Sequence, residues 1–318
     1  MRFYDIYNGD ADGICALLQL RLAQPRDATL VTGVKRDIRL LQRIDASPDD
    51  RMTVLDISLD SNRAELARVL DAGAKVEWFD HHHAGTIPRH PDLTAHIDTD
   101  PAMCTSLIVD RHLGGRFRTW AIVAAFGDNL DVQARTLAHD TGLSQAETES
   151  LSELGVCINY NAYGESIDDL RYSPEALYRR LRSFDDPLEF VRRGEEFAQL
   201  KSAFAEDILL AESQPAVVLS PACAMVTLPD ESWSRRVVGA FANRIAQRFP
   251  ERAHAILVRR ARGYLVSLRA PIARPRGAVS VAVKFPSGGG REGAAGIDHL
   301  ADADLPQLVD AMKSAWPG

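Results

Sequence analysis

At 318 residues the chain is long for one hydrophobic core, so two domains are the starting expectation. Its 46% hydrophobic and 25% charged residues are ordinary for a globular protein, and no apolar run reaches the ~20 residues of a membrane helix. A net charge of −7 argues against a general duplex-DNA binder.

In chain order, Phe3, Tyr4, Ile6 and Tyr7 read as a short strand, and Ile14, Leu17, Leu18 and Leu22 recur at helical spacing. Between them NGDADG (8–13) sets acids beside glycines, where nucleotide-binding chains place a bare glycine loop for phosphate. Carboxylates repel a naked phosphate. Either they cap the helix, Asp12 being the candidate cap, or they hold something positive.

ATLVTG (28–33), RMTVLDIS (51–58), AKVEWFDHH (74–82) and TAHIDT (94–99) predict strands, with helices over 37–45 and 61–73. Ser61 is the predicted N-cap of the second helix and Gly73 its stop. Lys35 and Arg36, after the second strand, either help hold phosphate or are solvated. The alternation predicts an α/β domain: a parallel sheet with helices on both faces and ligands at the carboxyl ends of the strands. Asp10 and Asp12 follow the first strand, Asp56 the third, and Asp80 with His81 the fourth.

Residues 102–204 read as largely helical, through TSLIVDRHL, RTWAIVAAFGDNL, LSQAETESLSELG and SPEALYRRLRSF. Asn159-Tyr160-Asn161 with Tyr163 is a polar-aromatic patch, read as loop packing or as a base-stacking surface. The charged stretch 187–213 predicts a helical connector between a first domain (1–186) and a smaller α+β domain with a mixed sheet (214–318). There AVVLS, CAMVTL, HAILVRR and YLVSLR read as strands, RVVGAFANRIAQRF (236–249) as a helix, and Gly263 as a hairpin turn. The glycine run near 288 is either a linker or an anion-binding loop.

Between Ser232 and Arg291 thirteen Lys or Arg stand against one acid, Glu251, a net +12 that leaves −19 on the remainder. That segregation predicts a basic lobe facing an acidic one with a polyanionic substrate held between them, or else an arginine-rich solvated surface. Cys15, Cys104, Cys157 and Cys223 form no C-x-x-C pair and read as buried reduced thiols. With no basic-then-apolar leader before the first strand, a cytoplasmic location is expected.

Asp10, Asp12, Asp56, Asp80, His81, His82 and His83 thus gather at one predicted sheet edge. Several acids there cannot all stay ionised without a cation. Carboxylate plus imidazole suits Mn, Mg or Fe better than structural zinc, and a carboxylate bridging two ions is how two-metal phosphoryl hydrolases are built.

FDHHHAG contains Asp80-His81-His82, and this stretch resembles the signature of the DHH phosphoesterase superfamily. NGDADG resembles the family's first motif, VLDIS its second and AIVAAFGDN its fourth. VSLRAP (266–271) followed by FPSGGGREGAAG (285–296) looks like the DHH-associated domain. The resemblance spans residues 3 to about 300, with five blocks in order. It implies two divalent ions, usually Mn²⁺, with Mg²⁺ the alternative. One would sit on Asn8, Asp10 and Asp56, the other on Asp12, Asp56, His81 and Asp128, with Asp56 bridging. It further implies that Asp80 orients a ligating imidazole, that His82 contacts the scissile phosphate, and that Arg269 with Gly288, Gly289 and Gly290 grips the rest of the substrate.

Two positions depart from that pattern. Asn8 stands where the family has His or Asp, and Arg291 where its glycine loop carries His. Asn8 predicts a weaker first metal site, for which His83 is a candidate replacement ligand, and Arg291 a permanent phosphate anchor. Two functions follow. One is a metal-dependent phosphoesterase acting on small nucleotides or short single-stranded oligonucleotides, with dinucleotides and nucleotide bisphosphates included. The other is a nucleotide-binding regulator that has lost turnover. Inorganic pyrophosphatase ranks below both, because that branch carries a different C-terminal domain.

Overall fold

In the computed structural model, residues 1–317 are described, and contacts divide the chain into two units that meet between Ser202 and Ala203. The first is built on strands β1 (Phe3–Tyr7), β2 (Thr29–Val31), β3 (Arg51–Leu55), β4 (Lys75–Asp80) and β5 (Leu93–Ile97). All pair in parallel, in the order β2-β1-β3-β4-β5. Helix α1 (Ala11–Ala23) links β1 to β2, and α2 (Arg63–Asp71) links β3 to β4. Because β2 and β3 lie on opposite sides of β1, the chain leaves the sheet in opposite directions there, which opens a crevice at the strand ends.

Alternating side chains of β1, β3 and β4 sort onto the two faces. Tyr4, Ile6, Met52, Val54, Val76 and Trp78 form one core with Leu66, Val69 and Leu70 of α2. Asp5 points to the other face, where Arg21 of α1 forks onto it at 2.7 and 2.8 Å. Nearly all of α1 is buried, from Ala11 to Arg21, because the remaining helices enclose it. Each wholly buried leucine there contributes ~1.5–3 kcal/mol relative to exposure. Those helices are α3 (Thr105–His112), α4 (Arg118–Gly127), α5 (Asp131–Asp140), α6 (Gln145–Tyr160), α7 (Pro174–Leu181) and α8 (Pro187–Arg193). Gly155 lets α6 lie against α4, since a Cβ there would come within 2.3 Å of the Val123 carbonyl oxygen.

The predicted connector is two helices, α8 and the longer α9 (Glu195–Glu212), separated at Gly194, and the boundary between the units falls inside α9. The predicted helix over 37–45 is only a 3-10 turn, Leu40–Arg43. Ser61 does not cap α2: a 3-10 turn over Asp60–Asn62 leads into it, and Asn62 makes no side-chain cap bond. Gly73 does end that helix, with φ +83°.

The second unit holds β6 (Ala216–Ser220), β7 (Cys223–Leu228), β8 (Ala253–Arg259), β9 (Tyr264–Arg269), β10 (Gly288–Gly290) and β11 (Ala294–Leu300). The sheet order is β10-β11-β9-β8-β7-β6, with β7 and β8 parallel and the other pairs antiparallel. Helices α10 (Ser232–Arg248), α11 (Ala278–Ala282) and α12 (Leu305–Ala315) belong to this unit. It is the mixed-sheet α+β domain expected. The glycine run is neither an open loop nor a linker but an edge strand paired with β11, and a Cβ on Gly288 would strike the Ala282 carbonyl oxygen at 1.8 Å. All four cysteines are free and buried. Among the described residues, no helix is long and apolar enough to cross a membrane.

Candidate metal centre

Register brings the site together. Tyr7 pairs with Leu55 and Leu55 with Phe79, so β1, β3 and β4 end level. The ladder continues one step further, with the Asn8 N–H on the Leu55 carbonyl and the Asp56 N–H on that of Phe79. Asn8, Asp56 and Asp80 therefore leave the sheet side by side, and Asp10 and Asp12 follow within one turn. Asp128 arrives from the C-terminal end of α4. Asp10, Asp12, Asp56 and Asp80 are all buried.

Each acid is held differently. Asp10, not Asp12, caps α1: its Oδ1 accepts the N–H groups of Asp12 and Gly13 at 3.0 and 3.1 Å. Asp12 instead caps a helix far along the chain, its two carboxylate oxygens accepting the Thr105 and Ser106 N–H groups at 2.7 Å each. Asp56 has a left-handed backbone, φ +57°, a conformation that costs a non-glycine residue roughly 1–2 kcal/mol. Strain of this kind concentrates at functional sites.

The two signature histidines are fixed by different acceptors. His81 Nδ1 lies 2.9 Å from the Met103 carbonyl, which can only accept, so Nδ1 carries the proton. Its Nε2 then faces Asp56 Oδ1 at 3.5 Å and Asp128 Oδ2 at 3.9 Å. His82 Nδ1 donates to Asp80 Oδ1 at 2.7 Å and lies 3.9 Å from Asp56 Oδ1, leaving Nε2 as the nitrogen not bonded to Asp80. Asp80 thus orients His82, the expected phosphate contact, while a backbone carbonyl orients His81. Asp80 ends β4 and also accepts the His81 N–H at 2.9 Å, which turns its carboxylate toward the next imidazole along.

Electrostatics show why this cluster suits a cation. Burial, then the charges of Asp10, Asp12, Asp128 and Asp80, push the Asp56 carboxyl well above its usual range. Asp128 is pushed up to about 6, by burial first and then by Asp12 and Asp10. Burial opposes ionisation of Asp10 as well, yet the Lys35 ammonium, the Gly13 N–H and a hydrogen bond with Asp56 bring it below normal. Of the two, Asp10 is favoured as the carboxylate and Asp56 is favoured to hold a proton.

Oxygen and imidazole donors of Asp12, His81 and Asp128 all lie within 4.8 Å of one another, as do those of Asp56, His81 and His82. Donor type and crowded charge both fit a divalent ion on the side of Asp12, His81 and Asp128. The Asn8 side offers one charge fewer and is held by its own hydrogen bonds. Asn8 Oδ1 accepts the Asp10 N–H at 3.2 Å, and its Nδ2 donates to the Lys35 carbonyl at 3.1 Å. His83 is exposed and belongs to neither donor group.

Lys35, read from the sequence as a phosphate contact or a solvated side chain, lies inside the cluster. It is turned into the acids: its Nζ lies 2.5 Å from Asp10 Oδ2, 3.3 Å from Asn159 Oδ1 and 3.8 Å from Asp128 Oδ1. Tyr163, read as a possible base-stacking ring, lies under this ammonium at 5.6 Å. Asn161 is spent on its own turn, bonding Arg171 and Tyr172, and Tyr160 is buried.

In the second unit Arg269 Nε donates to Asn243 Oδ1 at 2.7 Å, and its Nη1 to Ser267 Oγ and the Leu268 carbonyl. Gly288, Gly289 and Gly290 form the edge strand, and exposed Arg291 follows it.

No protein-family model and no curated protein matches the sequence. Solved structures do match over nearly the whole chain, and they show the fold that the motif blocks resemble, that of the DHH phosphoesterases. Exonuclease RecJ bound to manganese superposes with a TM-score of 0.63 at 18% identity, covering 99% of this chain and 90% of that one. The Vibrio cholerae pGpG-specific phosphodiesterase PggH gives 0.56 at 14% identity, over 99% of this chain and 100% of that one. RecJ from Thermus thermophilus with Mn²⁺ gives 0.55 at 17% identity, over 98% of this chain and 51% of that longer one.

Proposed function

We propose that this protein is a metal-dependent phosphoesterase that hydrolyses small nucleotide phosphoesters: short oligonucleotides, linear dinucleotides or nucleotide bisphosphates. The observation that carries the reading is the convergence of Asp12, Asp56, His81, His82 and Asp128 on one crevice at the carboxyl ends of a parallel sheet. Matched structures whose names specify an exonuclease and a dinucleotide phosphodiesterase support the substrate class.

Asp12, His81 and Asp128, with Asp56 beside them, would hold a divalent ion, Mn²⁺ or Mg²⁺, which would supply positive charge for a phosphoryl group and make water more acidic. The chain's own residues do the rest. Asp56, once ionised, is the acceptor placed for a proton leaving water. His82, its Nδ1 proton held by Asp80, presents Nε2–H to a phosphoryl oxygen and stabilises the charge that develops there. The hydrogen bond to Asp80 raises the His82 pKa, and the charges of Asp80, Asp12 and Asp128 raise it further against burial, so the cationic form persists toward neutral pH. In the second unit, Arg269, Gly288, Gly289, Gly290 and Arg291 are the residues proposed to contact the nucleotide.

The test is turnover of a panel of linear dinucleotides, short oligonucleotides and nucleotide bisphosphates with Mn²⁺, with and without chelator. Mononucleotide release that chelator abolishes, and that Asp56→Asn lowers by roughly a hundredfold or more, is the expected result. The second reading, a nucleotide-binding regulator, draws on Lys35 seated against Asp10. Nucleotide binding without turnover across the panel would establish it instead.

A further inference from the structure

One charged side chain inside the centre is not among the expected metal ligands. The acids that face one another at the strand ends need positive charge, and the Asp10 side already has it. Lys35 Nζ contacts Asp10 at 2.5 Å and Asn159 at 3.3 Å, lies 3.8 Å from Asp128, and sits over the Tyr163 ring. An ammonium with two hydrogen-bonded oxygens, a third carboxylate within ion-pair reach and an aromatic face has found a built pocket.

The backbone of Lys35 is held as firmly as its head. Its N–H donates to the Ala162 carbonyl at 2.9 Å, and its carbonyl accepts from Asn8 Nδ2 at 3.1 Å. That second bond explains the residue at position 8. Aspartate there would have no N–H to offer the Lys35 carbonyl and would add a carboxylate beside Asp10. Asparagine gives up a negative ligand and positions a cation in the same step.

We propose that Lys35 is a tethered monovalent cation that replaces the divalent ion on the Asn8–Asp10 side. The chain then holds one exchangeable divalent ion, on Asp12, His81 and Asp128. Asn8 is a positioning residue for Lys35, through the bond from its Nδ2 to the Lys35 carbonyl. This inference rests on the metal-dependent reading above.

The experiment counts ions without using activity. Wild-type full-length protein, stripped with chelator, is titrated with Mn²⁺ by calorimetry, and bound Mn is measured after desalting. Electron paramagnetic resonance then reports whether two Mn²⁺ ions are spin-coupled. One uncoupled ion per chain is expected in the wild type, and two coupled ions in the Asn8→Asp/Lys35→Met double variant. Lys35→Gln, nearer in size and polarity, provides a second variant if the double one does not fold, and it too is expected to gain an ion. Two ions in the wild type, or one ion in every folded variant, would overturn the role of Lys35 and leave the metal-dependent reading standing. No ion in the wild type would overturn both.

Discussion

Asp80 Oδ1 accepts the Nδ1 proton of His82 at 2.7 Å, and that single bond leaves Nε2 as the nitrogen Asp80 does not engage. It also raises the His82 pKa above its ordinary 6.5. In chelator-treated protein, Asp80→Asn is expected to lower the His82 titration midpoint, read from imidazole NMR shifts. In the active enzyme the alkaline fall in rate should move to lower pH by the same amount. The sign follows because a raised imidazole pKa keeps the charged form to higher pH. The attendant stabilisation is complete below pH 6.5 and is lost as pH rises through the folded value. A midpoint unmoved or raised in the variant would contradict this role for Asp80.

Asp56 offers a test of the crowded charge. Its raised pKa, and that of Asp128 at about 6, mean that the metal-free fold binds more protons than the unfolded chain. Metal-free stability from these two groups must fall as pH rises from about 4 through 6. Asp56→Asn removes the ionisation while tolerating the left-handed backbone, which Ala does not. It should melt higher than wild type at about pH 8 in chelator, with the difference gone at about pH 5, while Mn²⁺ binding weakens. Wild-type Mn²⁺ binding should release protons and tighten from about pH 5 to 7, measured by calorimetry in buffers of different ionisation enthalpy. Equal melting of the two proteins at both pH values would argue against the shared-proton picture.

Asp12 has a second duty that complicates its mutation. Its carboxylate holds the two N-terminal amides of α3, and Ser106 Oγ donates to its carbonyl at 2.8 Å. Asp12→Ala leaves those buried amides unpaired and should cost about 3 kcal/mol, two charge-assisted hydrogen bonds at the low end of their range. Urea unfolding of metal-free protein measures this. Asp128→Ala, which frees no such amides, should lose metal with much less loss of stability. A cost below ~1 kcal/mol for Asp12→Ala would show that water replaces the carboxylate at that helix end.

Much of this was legible in the residues. Period-2 and helical patterns located all five parallel strands, and five ordered motif blocks pointed to the DHH fold. The misses have local causes. DVQARTLAHD (131–140) forms α5 although its apolar residues are few and small. The glycine run has no side chains to show alternation, yet its backbone pairs with β11 because glycine alone fits beside Ala282. Ser61 looked like a cap, but a 3-10 turn intervenes before the helix begins.

The sequence by itself determined which residues lie at the strand ends, because that follows from where each short apolar run stops. It also marked Asn8 as the odd position. Tertiary structure alone decided what those residues do for one another. Whether Asp10 or Asp12 caps α1 depends on Ser106, 94 positions away from Asp12. Whether Asp80 serves His81 or His82 depends on Met103 taking the other imidazole. Lys35 could be assigned to phosphate or to solvent from its neighbours in sequence. Its seat against Asp10, with Asn159 and Tyr163 from another helix and loop, appears only once the strands are level. Charges interact through space, and the distances that set their energies are absent from a linear order.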